Sequence, residues 1–419
     1  MKQPNTADII TRTTCRVCLS SRLEEVMNLG TPHISDFPKR REARFPRVPL
    51  VLIRCSQCGL VQLQHTAPRD WLYREYFYRS GVNESMVAAL TDVVDSARKF
   101  VDLHYGSFVL DIGANDGTLL RNYPLGITRV GVDPALNLHK ELSKNCEMII
   151  PDYFPPAERY SGPQAKIITS IAMFYDLEDP NAFVAEVARI LHPEGVWVVQ
   201  LTDLWETLRL NAFDNIVAEH LEYYSFGVLA GLFARHGLNI VDVERNSVNG
   251  GSVRYYVAKT GGGVKSPEGA TKRLDVEKER DWSINTLSLF QFVTAVETIR
   301  DKVVSYIEDE IATGGIVDVL GASTKGNTLL QYFGLDSSCI RRAIDRSEEK
   351  NGRYCAGSWI PIVNENEGRV NPASLLLCLP WGFRESLLER EKKYLAAGGR
   401  ILFPLPMPCV ASKDGETLL

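Results

Sequence analysis

Apolar and polar positions alternate in a regular order through the middle of the chain. Runs of apolar residues predict strands near 108–112, 128–133, 146–150, 166–172 and 196–201. Between them, apolar residues three and four positions apart predict helices near 117–123, 135–144 and 180–191. Strands that alternate with helices form a parallel sheet joined by right-handed crossovers. The pattern therefore predicts an α/β domain that binds its ligand at the carboxyl ends of the strands.

The loop after the first of these strands has the composition of a nucleotide-binding turn. The strand ends at Asp111, and the loop runs through Gly113, Asn115 and Gly117. A third glycine in G-x-G-x-x-G spacing and a Gly-Lys-Ser/Thr are both missing, which disfavours a dinucleotide site or a P-loop. Asp133 ends the second strand, where an acidic side chain holds ribose hydroxyls. The loop and this acid resemble the S-adenosylmethionine (SAM) site of Rossmann-like methyltransferases; the alternative is a strand, turn and helix without a ligand.

Other strand ends extend this hypothesis. A helix is predicted over 225–236, and two strands near 238–245 and 252–258 are joined by Asn-Gly-Gly, a hairpin signal. SAM methyltransferase domains finish in such a hairpin, whereas dehydrogenase domains usually do not. The turn after the third strand also lies at the carboxyl edge. The predicted cofactor-binding residues are Asp111, Gly113, Asn115, Gly117, Asp133, Asp152 and Tyr153.

Two Cys-x-x-Cys pairs lie near the start of the chain. Cys15 and Cys18 form one pair, and Cys55 and Cys58 form the other. Two intervening residues let both thiolates of a pair reach one metal, and four thiolates suit tetrahedral zinc. A redox-active pair is the alternative, but a thioredoxin-like site needs a single pair inside a βαβ pattern. We therefore expect one structural zinc ion bound by all four cysteines.

A dense aromatic segment, residues 71–86, lies between the cysteines and the α/β domain. It contains Tyr76 and Tyr78, both candidates for the active site. Two interpretations remain open. The segment either caps a ligand pocket or packs the zinc module against its neighbour. A helix is predicted directly after it, over 86–103.

Beyond the hairpin, a charged stretch at 265–282 and a long amphipathic helix at 284–312 precede a second α/β unit. Its first strand ends in GASTKGNTLL, residues 321–330, a glycine-bounded turn at a helix N-terminus. Free amides and the helix dipole attract phosphate at such a turn. Ser323, Lys325 and Asn327 are therefore candidates for binding a diphosphate. The alternative is a helix start without a ligand.

Length, composition and charge limit the functional classes. The 419 residues are enough for about three domains. A net charge of -5 gives no electrostatic footprint for nucleic acid or an anionic membrane. No apolar stretch approaches the roughly 20 residues that span a bilayer, and the N-terminus lacks a signal-peptide core. We therefore expect a cytoplasmic protein, with domains at 1–85, 86–262 and 314–419 and a linker helix at 263–313.

The segment NAFDNIVAEHLEYYS, residues 211–225, follows the fifth strand on the ligand side of the predicted sheet. It contains Glu219 and His220, with Tyr224 shortly after them. A lone histidine is more often structural, but this position beside the predicted cofactor favours catalysis. Because neighbouring side chains diverge, Glu219 need not bond to His220. We expect it to face the substrate.

Several motifs occur in one order along the chain. They are the two zinc knuckles, Y-x-Y-x-S at 76–80, the D-x-G-x-N-D-G loop, E-H before L-E-Y-Y-S, N-G-G-S-x-R at 249–254, G-A-S-T-K-G-N, and F-P-L-P at 403–406. Together they resemble the zinc-containing, SAM-dependent nucleotide-sugar C-methyltransferases, the family of the sugar C-3-methyltransferases, over nearly the whole chain. The resemblance implies an α/β protein with an N-terminal zinc-binding module, a central Rossmann-like SAM methyltransferase domain and a C-terminal Rossmann-like α/β domain.

The resemblance also implies a reaction. The family substrate is typically a nucleoside-diphosphate (NDP) 4-keto-deoxyhexose, and the residue matching His220 is the general base. Loss of the proton next to the ketone leaves an enolate, whose carbon attacks the sulfonium methyl group. The implied catalytic residues are His220, Glu219, Tyr76 and Tyr78. The implied substrate-binding residues are Tyr224, Asn249, Arg254, Ser323, Lys325 and Asn327.

Two positions depart from the family pattern. The best-studied sugar enzymes have a tyrosine where this chain has Val217, and a histidine where it has Asp176. The base is retained while the auxiliary contacts differ, which leaves the particular substrate open. One alternative is the same scaffold acting on a non-sugar keto or hydroxyl compound. Another is a non-catalytic, zinc-stapled module that binds SAM or a nucleotide.

Overall fold

The computed structural model describes residues 8–41, 45–73, 76, 78–158 and 160–419, and of Asn249 the backbone alone. Within these ranges the strands are β1 (Ile10–Thr11), β2 (Leu23–Asn28), β3 (Val51–Cys55), β4 (Val61–Leu63), β5 (His65–Thr66), β6 (Phe108–Ile112), β7 (Thr128–Val132), β8 (Met148–Ile150), β9 (Ala165–Ile171), β10 (Leu191–Leu201), β11 (Glu222–Tyr223), β12 (Leu238–Asn246), β13 (Ser252–Lys259), β14 (Val317–Leu320), β15 (Ala343–Asp345), β16 (Ile362–Asn364), β17 (Leu375–Cys378), β18 (Arg400–Phe403), β19 (Cys409–Ser412) and β20 (Gly415–Leu418). The α-helices are α1 (Arg69–Tyr73), α2 (Glu84–Ala97), α3 (His139–Leu142), α4 (Pro180–Ile190), α5 (Leu204–Arg209), α6 (Phe226–Arg235), α7 (Ala270–Trp282), α8 (Thr286–Ala312), α9 (Thr324–Phe333), α10 (Glu365–Val370), α11 (Arg384–Arg390) and α12 (Lys392–Ala396).

The central sheet has the strand order β12-β13-β10-β9-β6-β7-β8. Strands β6 to β10 run parallel to one another, and β13 and β12 complete the sheet as an antiparallel hairpin. This arrangement confirms the predicted Rossmann-like sheet and its closing hairpin. Because β6 lies between β7 and β9, the loop after β6 and the ends of both neighbours meet at one crevice.

The loop that follows β6 does not continue into an α-helix, so the predicted helix over 117–123 is wrong. A single 3-10 turn, Leu120–Asn122, forms there instead. Pro124 follows closely, and a proline disfavours helical backbone at the residue before it. The helix predicted over 135–144 is likewise reduced to a 3-10 turn, Leu136–Leu138, and the short α3.

A second parallel sheet lies in the C-terminal part of the chain, in the order β16-β15-β14-β17-β18-β19-β20. Strands β14 to β18 are parallel, and β19 and β20 are antiparallel additions. The structure thereby confirms the predicted second α/β unit. Its first strand leads into α9, in the same way that β6 leads into the loop at Gly113.

The N-terminal module is built on a four-stranded antiparallel sheet, β11-β4-β3-β2. Strand β11 comes from the segment just after His220 and pairs with β4. Helix α8 packs against both this small sheet and the C-terminal sheet. Its buried residues belong to one continuous apolar core that also contains residues of β3 and β14. The zinc module, the segment around His220 and the C-terminal unit therefore share one core.

The domain boundaries stated above, at 85, 262 and 313, stay a prediction. Across the part of the chain that the structure describes, no helix has the length and apolar character needed to cross a membrane.

Candidate active site

The four predicted zinc ligands come together. The thiol sulfurs of Cys15, Cys18, Cys55 and Cys58 all lie within 4.8 Å of one another, with Sγ–Sγ distances of 3.6 Å for Cys15–Cys58 and 3.5 Å for Cys18–Cys55. Four thiolates about 2.3 Å from one tetrahedral zinc are about 3.8 Å apart, which is close to these separations. The cluster therefore fits zinc.

The two knuckles have the same backbone geometry. The residue after the second cysteine takes a left-handed conformation in each, with φ of 62° at Leu19 and 85° at Gly59. Its amide donates to the carbonyl of the first cysteine, at 3.0 Å for Leu19 and 2.9 Å for Gly59. This turn bends each pair so that both sulfurs face the same point.

The loop after β6 is shaped for close approach. Gly113 has φ of 76°, and a Cβ added there would lie 3.0 Å from Cγ of Met173. Asp133, at the end of β7, accepts the backbone amides of Asn115 at 2.7 Å and Ala135 at 2.8 Å, one on each carboxylate oxygen. Each oxygen retains a lone pair for a further donor. The loop and Asp133 therefore fit a ligand that carries a ribose diol.

The other predicted cofactor residues stabilise the loops beside Gly113 and Asp133. Asp111 accepts the hydroxyl of Thr169 at 2.6 Å, and burial raises the pKa of Asp111 to about 7. Asp152 accepts the amides of Tyr153 and Ala157. Tyr153 donates to Asp70 at 2.9 Å, which ties the turn after β8 to α1. Gly117, with φ of 78°, lies against Asn145.

The aromatic segment lies across the loop that follows β6. The amide of Ser80 donates to Asn115 at 3.0 Å, and the side chain of Asn115 donates to the carbonyl of Tyr78 at 3.1 Å. The amide of Gly81 donates to Asp116 at 2.8 Å. The backbone amide of Tyr76 donates to Oδ1 of Asn137 at 3.1 Å, and Nδ2 of Asn137 donates to the carbonyl of Tyr76 at 3.0 Å. These contacts agree with the cap, while Trp71 and Leu72 of the same segment pack against the core that contains the zinc module.

His220 has a defined hydrogen-bonding state. Its Nδ1 lies 2.8 Å from the carbonyl oxygen of Asn215. Because a carbonyl oxygen only accepts, Nδ1 carries the proton and Nε2 keeps its lone pair. The ring of Tyr175 lies 4.3 Å from the imidazole. Burial, and then the charge of Lys325, lower the pKa of His220 to about 3, which keeps the ring neutral.

Two carboxyl groups near His220 are also perturbed. Burial raises the pKa of Glu219 to about 7, and its Oε2 has no hydrogen-bond partner among the described residues. Burial, together with the charges of Glu219 and Glu222, raises the pKa of Asp176 well above its ordinary value. A residue that the sequence analysis missed, Tyr73, donates to the carbonyl of Glu219 at 3.1 Å. Its position in the aromatic segment was the available signal.

The cavity beside His220 contains Tyr223 rather than Tyr224. Tyr223 donates to the carbonyl of Asn215 at 3.2 Å, whereas Tyr224 is fully buried against Phe174, with ring centroids 5.2 Å apart. Tyr224 follows the end of β11, and its ring lies in the apolar core that contains Phe174. Tyr224 does not line this cavity, and its contact with substrate stays a prediction. The cavity is lined by Tyr175, Thr202, Thr207, Asn215, His220, Glu222 and Tyr223.

The structure does not bring Arg254 to this cavity. Arg254 is 1% exposed and pairs with Asp92 at 2.9 Å and Glu244 at 3.6 Å. It also donates to Gln200 at 2.8 Å, on the neighbouring strand. Its charge is paired inside the central domain, and its contact with substrate stays a prediction. The side chain of Asn249 lies outside the described residues.

The turn before α9 is only partly free for a ligand. Ser323 is the N-cap of α9 and accepts the amide of Gly326 at 2.9 Å. Asn327 is fully buried and donates to the carbonyl of Asp36 at 3.1 Å. Both side chains are therefore used in the fold. Lys325 differs, because burial lowers its pKa, and its charge acts on both His220 and Asp214.

Family models match successive parts of the chain in the predicted order. They are described as "Putative zinc binding domain" over residues 15–73, "Methyltransferase domain" over 83–243 and "C-methyltransferase C-terminal domain" over 247–406. C-methyltransferase NovU of Streptomyces niveus is 29% identical over 414 residues, which cover 96% of this chain and 97% of NovU.

Solved structures align with a smaller part of the chain. A SAM-dependent methyltransferase from Clostridium acetobutylicum has a TM-score of 0.33 and 13% identity, and covers 41% of this chain and 92% of its own. Magnesium protoporphyrin IX methyltransferase from Synechocystis PCC 6803, solved with SAM, has a TM-score of 0.31 and 13% identity, and covers 43% of this chain and 79% of its own.

Proposed function

We propose that this chain, which is a SAM-dependent C-methyltransferase with a zinc-binding module, methylates the carbon next to the ketone of an NDP-4-keto-deoxysugar, at C3. One observation carries the proposal: the carbonyl of Asn215 holds Nδ1 of His220, so Nε2 is free to take a proton. The similarity to C-methyltransferase NovU, which extends over nearly all of both chains, supports a carbon atom as the acceptor.

His220 would remove the proton from the carbon next to the ketone. A neutral imidazole has a lone pair that can accept the proton, but a pKa of about 3 makes it a weak base in the free enzyme. A positioned base contributes roughly 10²–10⁴-fold to the rate when its pKa lies near the working pH. Loss of this proton makes the carbon nucleophilic. The methyl group that SAM supplies is the electrophile, and the step depends mainly on proximity and alignment.

Hydroxyl groups would support the negative charge that develops on the ketone oxygen. We assign this role to Tyr76 and Tyr78, with Tyr223 in the place that the sequence suggested for Tyr224. Burial raises the pKa of Tyr76, and it raises that of Tyr78 to about 12, so both hydroxyls stay protonated and able to donate. Donors aimed at a developing charge are a large term in catalysis.

A sugar would suit the unpaired buried acceptors near His220, one of which belongs to Asn215 in the cavity lining. Within the described part of the chain, Oε2 of Glu219, Oδ1 of Asp176 and Oδ1 of Asn215 are buried without a hydrogen-bond partner. Buried acceptors cost free energy unless a donor reaches them. A substrate with several hydroxyl groups would supply such donors, which favours a sugar over an apolar ketone.

The geometry supports three further assignments. Gly113 and Asn115 would hold SAM by close approach, and Asp133 would accept its ribose hydroxyls. Lys325 would contact the diphosphate of the substrate, as the one side chain of the α9 turn whose charge reaches the His220 site. We also propose a cytoplasmic location, because no disulfide joins any of the described cysteines, as expected in a reducing compartment.

The test is product analysis with SAM that carries a ¹³C-labelled methyl group and a panel of NDP-4-keto-6-deoxysugars. We expect the label on a ring carbon next to the ketone, identified by ¹³C NMR. The His220→Asn variant is the matched control, and we expect it to bind SAM without forming this product. A label found on oxygen, or no product with any 4-keto sugar, would contradict the proposal.

A further inference from the structure

We propose that Trp381, in the C-terminal unit, is a positioning residue for His220: its indole N–H holds Asp214 and thereby fixes the carbonyl of Asn215 that orients the imidazole. The inference rests on the proposed role of His220 as the base. It adds a contact, 161 positions further along the chain, that sets the geometry of that base.

A hydrogen bond joins the C-terminal unit to the turn that precedes His220. Trp381 Nε1 donates to Asp214 Oδ2 at 2.8 Å. Asp214 is 3% exposed, and its other oxygen, Oδ1, has no hydrogen-bond partner in the ranges described. Removing the indole N–H would leave a buried carboxyl group poorly satisfied, so the loop would have to move.

Asp214 is in turn connected to the base. Asp214 and Asn215 are consecutive residues of one 3-10 turn, Phe213–Asn215. The carbonyl of Asn215 accepts two hydrogen bonds, from His220 Nδ1 at 2.8 Å and from the hydroxyl of Tyr223 at 3.2 Å. A rotation of the backbone at Asp214 would therefore redirect the acceptor that fixes the tautomer and orientation of the imidazole.

Trp381 is itself held in place. Its neighbour Gly382 meets Gly250, in the turn between β12 and β13, so closely that a Cβ on Gly382 would lie 3.3 Å from Cα of Gly250. Phe213 packs against Tyr332 of α9, with ring centroids 5.3 Å apart. The C-terminal unit thus contacts the 213–215 turn through both its Trp381 loop and α9, and completes the site.

The decisive variant is Trp381→Phe, which keeps an aromatic ring and removes the N–H. In protein labelled with ¹⁵N-histidine, the ¹⁵N shifts of His220 report which ring nitrogen carries the proton, and His220→Asn assigns the signal. We expect the Nδ1–H tautomer in the wild type and a substantial Nε2–H population in Trp381→Phe. Trp282→Phe is the matched control, because Trp282 is 76% exposed, and we expect it to match the wild type.

Kinetics give a second readout. Misplacing a base by about 1 Å can cost up to about 10²-fold, so we expect kcat to fall by about 10- to 100-fold in Trp381→Phe. SAM affinity should stay within about twofold of the wild type, since the loop after β6 is untouched. Asp214→Asn is the conservative variant. Its amide oxygen can still accept the indole N–H, so it should keep the Nδ1–H tautomer.

An unchanged His220 tautomer in Trp381→Phe overturns the inference. If Trp381→Phe fails to bind SAM and is therefore not folded, Asp214→Leu carries the test with the same expected shift, and a wild-type tautomer there overturns it equally. Failure of the proposed function looks different: the tautomer shifts in Trp381→Phe, but His220→Asn still forms the methylated product.

Discussion

The chain contains two strands, β6 and β14, that each end in a glycine turn beside an acid from the neighbouring strand, in different surroundings. In one, the amide of Gly113 donates to Val132, and Asp133 accepts Asn115 and Ala135. In the other, the amide of Gly321 donates to Ile344, and Asp345 accepts Ala322 and Ser347, each at 2.8 Å. A strand-end acid organises the glycine loop in both units.

What differs is how far the protein itself occupies each loop. Lys350 lies 3.5 Å from Asp345 and donates to the carbonyl of Ala322 at 2.6 Å. The N-terminal module also contacts the second loop, through Ser35 to Thr324 and Asn327 to Asp36. The first loop is contacted by the backbone of Ser80 and Gly81, and in the described residues no lysine or arginine forms an ion pair with its Asp133. The same motif can therefore serve a ligand in one place and the fold in another.

Zinc removal has the largest expected effect on this comparison. The module that holds zinc also supplies the contacts to the second loop, and structural zinc sites contribute on the order of 10 kcal/mol to folding. After chelation, or in Cys15→Ser, we expect amide hydrogen exchange to rise first in residues 322–330 and less in 113–118. Metal analysis should show one zinc per wild-type chain. Equal exchange in the two loops would remove the distinction between them.

Substituting the strand-end acids separates the two units directly. Asp133→Ala should weaken SAM binding by about 1.5–3 kcal/mol, the scale for hydrogen bonds to a charged group. Asp345→Ala should leave SAM affinity unchanged. Isothermal calorimetry with both variants measures this difference. If wild type and Asp133→Ala bind SAM with equal affinity, the assignment of SAM to the first loop is wrong.

The two lysines of the second unit are expected to differ as well. Lys325→Ala should raise the Michaelis constant for the NDP-sugar by about tenfold, or about 1.4 kcal/mol, because a charge near the diphosphate is lost. Lys350→Ala should leave that constant unchanged and lower stability by roughly 1–3 kcal/mol, since Asp345 loses its cation. Steady-state kinetics and chemical denaturation check the pair. An unchanged Michaelis constant in Lys325→Ala would place the nucleotide elsewhere.

The smallest expected effect is a shift in a pH profile. Because burial and Lys325 lower the pKa of His220 to about 3, the imidazole stays neutral as pH falls through 6.5, where an ordinary histidine would gain a proton. Proton abstraction should therefore persist to pH 5.5. The profile is best measured in Glu219→Gln, because Glu219 itself titrates near 7. Adding Lys325→Met should raise the pH at which the rate falls on the acid side of the profile. A fall in rate centred at pH 6.5 in Glu219→Gln alone would contradict the environment assigned to His220.

Local signals were sufficient for much of the fold. The apolar run at β6 predicted its bounds, because a parallel strand is buried on both faces and all five of its residues are buried. The zinc cluster followed from the spacing of two cysteine pairs. The absence of a full helix after Gly117 could also have been predicted, because Pro124 is too close to Gly117 for one to form.

Contacts between distant parts of the chain could not be predicted in this way. No local sequence pattern predicts that Arg254 pairs with Asp92, or that Trp381 donates to Asp214. Which of Tyr223 and Tyr224 faces the cavity depends on how β11 joins β4. Ser323 could have been identified, because a serine directly before a helix is a typical N-cap.

The most direct test of the central claim is loss of deuterium from the substrate carbon next to the ketone, measured without SAM. Wild-type enzyme should release the label to water, because His220 Nε2 is neutral and free to take the proton. In His220→Asn, which should still bind SAM, we expect release to be slower by roughly 10²–10⁴-fold. Release at the wild-type rate in this variant would remove His220 as the base and direct attention to Tyr76, Tyr78 or Asp176.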